Sequence, residues 1–170
     1  MSPRSHLGFP SPIWALCLLC LLILALTTLA APALGGNVPL HQVPKPVLDA
    51  VRARFKDARI AGADRDRERG NWVYEVSIKH QGKNIDVTLT PEGAILVIKR
   101  EIAATDLPEP AARALADKYP GATYQGVEEV IKVQGGHEEL AYYEIDLVTA
   151  RRRTLEVRVS VDGRILKEEK

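Results

Sequence analysis

The sequence is poor in cysteine, and no cysteine lies beyond residue 33. Its two cysteines, Cys17 and Cys20, stand inside an apolar segment near the amino terminus. Their C-x-x-C spacing is typical of redox or metal pairs in folded domains, but within an apolar run this interpretation is weak. The rest of the chain therefore excludes disulfides, thiolate metal sites and cysteine nucleophiles, and its fold has to be held by its core.

The sequence also lacks an excess of charge of either sign. Of its 23 basic residues only Arg4 precedes Leu34, so residues 34–170 carry 22 basic side chains against 22 acidic ones. Non-specific nucleic-acid binding needs a basic excess, and adhesion to anionic lipid needs a basic cluster. We therefore expect no nucleic-acid partner. A composition of 46% hydrophobic and 26% charged residues excludes a disordered chain.

Arrangements of residues that carry chemistry are missing as well. Ser77 and Ser160 are the only serines after residue 33, and neither lies in a G-x-S-x-G sequence. His41, His80 and His137 show no spacing that would bring two imidazoles onto one helix face. No glycine-rich phosphate loop occurs. The sequence predicts no catalytic residue, no metal site and no cofactor.

The amino-terminal 33 residues are typical of an export signal. An apolar run from Ile13 to Leu26 follows Arg4, and Ala31-Pro32-Ala33 supplies an A-x-A cleavage site. The alternative is an uncleaved anchor over Ile13–Ala30, which approaches the ~20 residues that span a bilayer. We predict a periplasmic or secreted protein, in contact with the membrane only through Ile13–Ala30 if the signal stays uncleaved.

The remaining chain contains an internal repeat. Val43-Pro44-Lys45-Pro46 matches Leu107-Pro108-Glu109-Pro110 at an offset of 64, and the register holds over eighteen positions. Tyr74-Glu75-Val76 later matches Tyr143-Glu144-Ile145 at an offset of 69. A repeat of this kind predicts two similar structural units, over residues 43–102 and 106–170.

Each unit is predicted to be one helix followed by about four strands. Apolar residues recur every four positions at Val47, Val51 and Phe55, which indicates a helix with one buried face. The period then changes to two, as in Trp72–Ile78, which indicates half-buried strands. Short turns between strands favour antiparallel pairing. We therefore predict an α+β fold of two tandem helix-plus-four-stranded antiparallel sheet units, packed together or sharing one sheet.

The second unit carries a recognisable pattern. Residues 107–122 read Leu-Pro-x-x-(apolar)-x-x-Ala-Leu-x-x-Lys-Tyr-Pro-Gly-Ala, and residues 161–169 close the unit with Val-Asp-Gly-Arg-Ile-Leu-Lys-Glu-Glu. This pattern resembles the PepSY-like family of small exported bacterial domains, which are also described as similar to β-lactamase inhibitory protein. The resemblance implies a tandem helix-plus-sheet fold whose outer sheet surface could bind another protein, and it implies no catalytic residues.

Two functions of different classes follow. The first is an exported non-enzymatic module that binds, and could inhibit, an extracytoplasmic protein or peptide through its sheet face. Its candidate contact residues are the polar outward positions Tyr142, Glu144, Asp146, Arg158, Glu75, Ser77 and Lys79. The alternative is a small-ligand or metal-ion sensor, with a cleft between the two repeats that is lined by acidic residues and His137.

Overall fold

The structure, a computed structural model, describes residues 36–170. The predicted signal or anchor at residues 1–33, which includes both cysteines, lies outside the described residues. Within residues 36–170, neither α-helix is long and apolar enough to cross a membrane.

Two α-helices and nine strands make up the described chain. The helices are α1 (Lys45–Arg54) and α2 (Glu109–Lys118), and short 3-10 helices at Leu40–Gln42 and Ala104–Asp106 precede them. The strands are β1 (Gly36–Asn37), β2 (Arg59–Glu68), β3 (Asn71–His80), β4 (Lys83–Leu89), β5 (Ile95–Glu101), β6 (Thr123–Gln134), β7 (His137–Val148), β8 (Thr154–Val159) and β9 (Ile165–Glu169).

Proline sets the start of α1, and a cluster of apolar residues holds the helix on the sheet. Pro44 precedes the helix and Pro46 lies in its first turn, where the missing N–H costs nothing. Val47, Val51 and Phe55 then lie on one face and are buried. α2 begins in the same way after Pro108 and buries Ala111 and Leu115.

The strands form a single antiparallel sheet in chain order, β1 to β9. Two-residue turns with positive φ at both positions join several neighbours, as at Gln81-Gly82 and Gly135-Gly136. Such turns have the twist that an antiparallel hairpin requires. The longer β4–β5 turn folds back onto the start of α1: a Cβ on Gly93 would lie 2.6 Å from the carbonyl oxygen of Pro46.

The prediction of an α+β fold with two helix-plus-four-strand units is wrong. The structure is sheet-rich, and its nine strands form one continuous sheet. β5 pairs with β6 through Val97–Glu101 and Glu128–Lys132, so the sheet has no break between residues 43–102 and 106–170. β1 adds a ninth strand by pairing with Asp64 and Arg65 of β2. The backbone N–H and C=O groups of β5 and β6 bond to one another. In two separate sheets these groups would lie on exposed edges.

Both helices pack on the same face of the sheet and build the core there. One cluster joins Val47, Val51 and Phe55 to β3–β5 residues such as Ile78 and Leu89. A second cluster joins Ala111 and Leu115 to Val127, Ile145, Leu147, Leu155 and Val157. Burying each large aliphatic side chain contributes about 1.5–3 kcal/mol. Most apolar residues of the strands therefore lie on the helix side of the sheet, and the polar residues that alternate with them lie on the other side.

Candidate functional site

The sheet has a helix face and an open face. Cross-strand partners in an antiparallel sheet lie on the same face, so the register assigns every strand residue to one of them. Val76, Val87, Ile98, Ile131 and their partners lie on the helix face. The alternate residues lie on the open face, and within residues 36–170 no helix packs over it.

The register places all seven predicted contact residues on the open face. Glu75, Ser77 and Lys79 lie on β3, and Tyr142, Glu144 and Asp146 lie on β7. Arg158 lies on β8 opposite Glu144. β3 and β7 are four strands apart, which is roughly 19 Å at about 4.8 Å per strand. The predicted set therefore forms two groups, one at each side of the open face.

Glu144 is the centre of the group on β7. Its side chain is only 7% exposed. It accepts hydrogen bonds from Nζ of Lys99 at 2.5 Å and from Nε of Arg158 at 2.9 Å. Arg158 also donates to Glu156 at 2.9 Å, and its guanidinium lies 5.5 Å from the centre of the Tyr142 ring. Two cations thus hold a buried carboxylate, and both are fixed in position on the open face.

The pKa of Lys99 reflects this arrangement. Burial lowers this pKa. The hydrogen bond to Glu144 and the carboxylates of Glu144, Glu128 and Glu75 raise it by more than burial lowers it, so the net shift is upward. Lys99 therefore remains a cation on the open face. Burial also raises the pKa of Tyr142, which keeps its phenol protonated.

The group on β3 is acidic at its centre. Ser77 donates a hydrogen bond to Asp86 of β4 at 2.6 Å. Burial, and then the neighbouring carboxylate of Asp86, raise the pKa of Glu75, whereas Lys99 lowers it. Lys79 is exposed near the turn that joins β3 to β4. Asp86 and Lys99 thus influence Glu75 from the strands between the two groups.

Sequence reasoning missed the residues that connect the two groups. Asp86, Lys99 and Glu128 lie on β4, β5 and β6, between β3 and β7. Burial raises the pKa of Glu128 to about 7, with Asp86, Glu144 and Asp146 adding to the rise and Lys99 opposing it. The strand period marks Asp86 as an outward residue. The position of Lys99 and Glu128 depends on the pairing of β5 with β6, which local patterns do not reveal.

The structure has a cleft between the two repeats, but its lining residues differ from those predicted. A cleft of about 790 Å³ lies on the helix face between α1, the β4–β5 turn and the β6–β7 turn. Its lining includes one acidic residue, Glu138, and does not include His137. Arg54 donates to both carboxylate oxygens of Glu138, at 3.0 and 3.3 Å. This cleft therefore does not have the expected acidic lining with His137, and an Arg54–Glu138 ion pair lies in it instead.

The remaining candidate groups for chemistry are separated. His80 packs edge-on against Phe55 on the helix face, with ring centres 5.8 Å apart, and Ser77 lies on the opposite face. Ser160 donates to Asp162 and to the carbonyl oxygen of Arg164 in the β8–β9 turn. Among residues 36–170 no group of three or more His, Cys, Asp or Glu side chains is placed to hold a metal ion.

Comparison with known proteins yields similarity in structure only. No family model and no curated protein matches the sequence. A protein of Bacteroides eggerthii, provisionally described as periplasmic, superposes with a TM-score of 0.60 at 15% identity over 75% of this chain and 88% of that one. A BLIP-like protein of Bacteroides fragilis gives 0.55 at 16% identity, over 79% and 88% of the two chains. A DUF2874 family protein of Bacteroides uniformis gives 0.60 at 15%, over 74% and 88%.

These neighbours support part of what the sequence predicts. The resemblance to β-lactamase inhibitory protein is supported at the level of the fold by the BLIP-like neighbour. The name PepSY-like is not supported by these comparisons. The predicted periplasmic or exported location is supported by the periplasmic description of a neighbour. The chain thus has the fold of the BLIP-like and DUF2874 family proteins of Bacteroides.

Proposed function

We propose that the protein is an exported, non-enzymatic binding module whose open face contacts an extracytoplasmic protein or peptide. The observation that carries the proposal is the charged network around Glu144, in which Lys99 and Arg158 are held on a face that no described helix covers. The neighbour from Bacteroides fragilis adds support, because it is described as BLIP-like, that is, as similar to β-lactamase inhibitory protein.

The network lowers the entropic cost of binding. Ordering a long side chain at an interface costs about 0.5–1.5 kcal/mol. Lys99 and Arg158 have already lost this freedom in the free protein, since both donate to a buried carboxylate. Tyr142, next to Arg158, adds an aromatic ring of the type that often dominates binding energy. These residues form a prepared contact surface.

The dimensions of the open face also suit a protein partner. Strands β2 to β9 span roughly 34 Å across, and a strand of about seven residues is roughly 24 Å long. The resulting area of roughly 800 Å² equals what one partner buries in a standard interface. A small metabolite would occupy only a small part of it.

The non-enzymatic part of the proposal depends on where the reactive side chains lie. Ser77, the only serine on the open face of β3, donates to Asp86 rather than to a base that could remove its proton. His80, the histidine nearest to Ser77 in the sequence, packs against Phe55 on the helix face. A nucleophile needs a base within hydrogen-bond reach, and Ser77 and His80 lie on opposite sides of the sheet.

Cross-linking on the two faces tests the proposal. A photoactivatable residue is placed at Ser77 or at Asp146 on the open face, and as a matched control at Ala116, which is exposed on α2. Each variant is irradiated in native envelope extract. We expect one defined adduct from both open-face positions and none from Ala116. An adduct from Ala116 alone would move the binding surface to the helices and refute the proposal.

A substitution measures the contribution of the network to the identified complex. Tyr142→Ala is expected to weaken binding by about tenfold or more, as truncation of an interface tyrosine commonly does. The control is Tyr124→Ala on the helix face, which should leave the affinity unchanged. Equal affinities for the wild type and Tyr142→Ala would show that this side of the open face takes no part.

A further inference from the structure

The open face is acidic, although the chain as a whole is balanced. By register, its strands place six basic residues there, namely Arg59, Lys79, Lys99, Lys132, Arg158 and Lys167. They place twelve acidic residues there, namely Asp64, Asp66, Glu68, Glu75, Asp86, Glu101, Glu128, Glu139, Glu144, Asp146, Glu156 and Glu169. Residues 34–170 contain equal numbers of acidic and basic residues. Those that lie away from the open face therefore carry a matching excess of basic side chains.

The segregation is clearest on β2. Its sequence alternates in sign, and the register directs Asp64, Asp66 and Glu68 to the open face. Arg65 and Arg67 point to the helix face, where their guanidinium groups lie 4.5 and 5.3 Å from the centre of the Trp72 ring. β2 thus adds three carboxylates to the open face and stacks two cations on the helix face.

Among the described residues, half of the cations of the open face form ion pairs, whereas nine of its twelve carboxylates do not. Lys99, Arg158 and Lys167 bind Glu144, Glu156 and Glu169. Within the described residues, the other nine acidic residues of this face form no ion pair, and only three basic residues of the face remain outside the pairs. Within the part of the chain that the structure describes, these nine carboxylates thus lack a cationic partner.

We propose that the partner of the open face is a protein segment rich in lysine and arginine, which contacts Glu75, Asp86, Glu128 and Asp146 around Lys99. This inference rests on the proposed function, because it names the chemistry of the partner on the same face. Charge complementarity selects against acidic partners and speeds encounter with basic ones. Lys99, held by Glu144, divides the carboxylates, so the cations of the partner have to lie on either side of it.

The position of Glu128 predicts how binding depends on pH. Its carboxyl faces Lys99 and Glu101 on β5, Asp86 on β4, and Glu144 and Asp146 on β7. With a pKa of about 7, it is partly protonated at neutral pH. A cation of the partner favours the charged form, so affinity is expected to increase as the pH rises from about 6 to about 8.

Titration with defined peptides tests the proposal. The probes are a peptide of alternating lysine and alanine and its counterpart of alternating glutamate and alanine, measured by fluorescence anisotropy at low salt. The face variant combines Asp86→Asn, Glu128→Gln and Asp146→Asn. The control variant combines Glu92→Gln, Asp106→Asn and Asp117→Asn, which changes net charge equally at exposed positions away from the open face.

We expect the wild type and the control variant to bind the lysine peptide alike, within about twofold. The face variant should bind about tenfold more weakly, as three exposed charge pairs would supply together. Neither variant should bind the glutamate peptide. Equal weakening in both variants would show that net charge alone is responsible and would overturn the proposal. Absence of binding by the wild type would overturn it as well. Melting temperatures verify that each variant is folded.

Two further measurements separate this inference from the proposed function. Irradiation of the variant labelled at Ser77 in about 1 M salt, where charges are screened beyond about 3 Å, should give no adduct. If the adduct forms equally well in high salt and with the face variant, the open face binds a partner of other chemistry, and only this inference fails. If no partner cross-links and no peptide binds, both fail. Saturation of the same carboxylates by calcium ions, with no peptide bound, would assign the face to a metal and refute the inference.

Discussion

Replacement of Glu128 by glutamine is expected to stabilise the protein at neutral and alkaline pH. Burial on the open face raises the pKa of this carboxyl from 4.5 to about 7, and the carboxylates of Asp86, Glu144 and Asp146 contribute to the rise. Lys99 opposes it but is bound to Glu144. A glutamine has nearly the same shape and carries no charge, so it removes the cost of ionisation without leaving a cavity.

The sign of the effect follows from the two pKa values. The unfolded chain releases the proton near pH 4.5, whereas the folded protein retains it until about pH 7. Since the pKa is raised in the folded state, ionisation favours the unfolded chain. Glu128 therefore costs nothing at low pH, removes stability progressively between pH 4.5 and about 7, and keeps that full cost at higher pH.

The magnitude has to be discounted for exposure. The difference between a pKa of 4.5 and one of about 7 corresponds to about 3 kcal/mol if it acts in full. Glu128 is only partly buried, and water screens its interactions with the neighbouring carboxylates. We expect Glu128→Gln to raise the free energy of unfolding by about 1 kcal/mol at pH 8 and to leave it unchanged at about pH 4.

Urea unfolding at these two pH values measures the effect. Glu139→Gln is the matched control, because Glu139 lies on the same face but is exposed. It should change the free energy of unfolding by less than about 0.5 kcal/mol at either pH. If Glu128→Gln destabilises the protein at pH 8, or has the same effect at both pH values, Glu128 is a charged partner of Lys99 and the reasoning fails.

Three further substitutions test the core, the network and the turns by urea unfolding. Phe55→Ala should cost about 3 kcal/mol through lost burial and a cavity, and a loss below about 1 kcal/mol would show that Phe55 packs loosely. Glu144→Gln should cost about 2 kcal/mol, less than a fully buried pair because Lys99 and Arg158 can reach water; no loss would mean that the network is not formed. Gly93→Ala should cost at least about 1 kcal/mol, because its φ is positive and its Cβ would meet the Pro46 carbonyl; an unchanged midpoint would contradict this contact.

Local periodicity was sufficient to locate most elements but not their assembly. The spacing of Val47, Val51 and Phe55 indicates the first helix, which the structure has at Lys45–Arg54. The alternation over residues 72–78 indicates β3. A period of two identifies a strand and its faces, but says nothing about which strand lies beside it. The pairing of β5 with β6, which the sequence left open, depends on contacts between residues about thirty positions apart.

In the candidate site, too, local periodicity predicts some residues, whereas others depend on how the strands pair. Outward positions on β3, β7 and β8 follow from alternation alone, and the structure places Glu75, Glu144 and Arg158 on the open face. The partner of Glu144 across the sheet, Lys99, was not predicted. β5 begins with Ile95-Leu96-Val97-Ile98, a continuous apolar run in which inward and outward positions cannot be told apart. Only the register with β4 and β6 places Lys99 on the open face.

The edges of the sheet give a reason to expect a partner on the open face rather than beside it. A partner strand could add to the sheet at its two edges, which are formed by β9 and by the part of β2 that the two-residue β1 leaves uncovered. β1 covers β2 at Asp64 and Arg65, and charged residues fill the rest of its outer half. β9 ends in Lys167-Glu168-Glu169, of which Lys167 and Glu169 pair with each other on the open face. Short, charged edges disfavour strand addition. The edges therefore favour the proposed contact with the side chains of the open face, and the affinity of such a partner should depend on salt rather than on backbone hydrogen bonds at an edge.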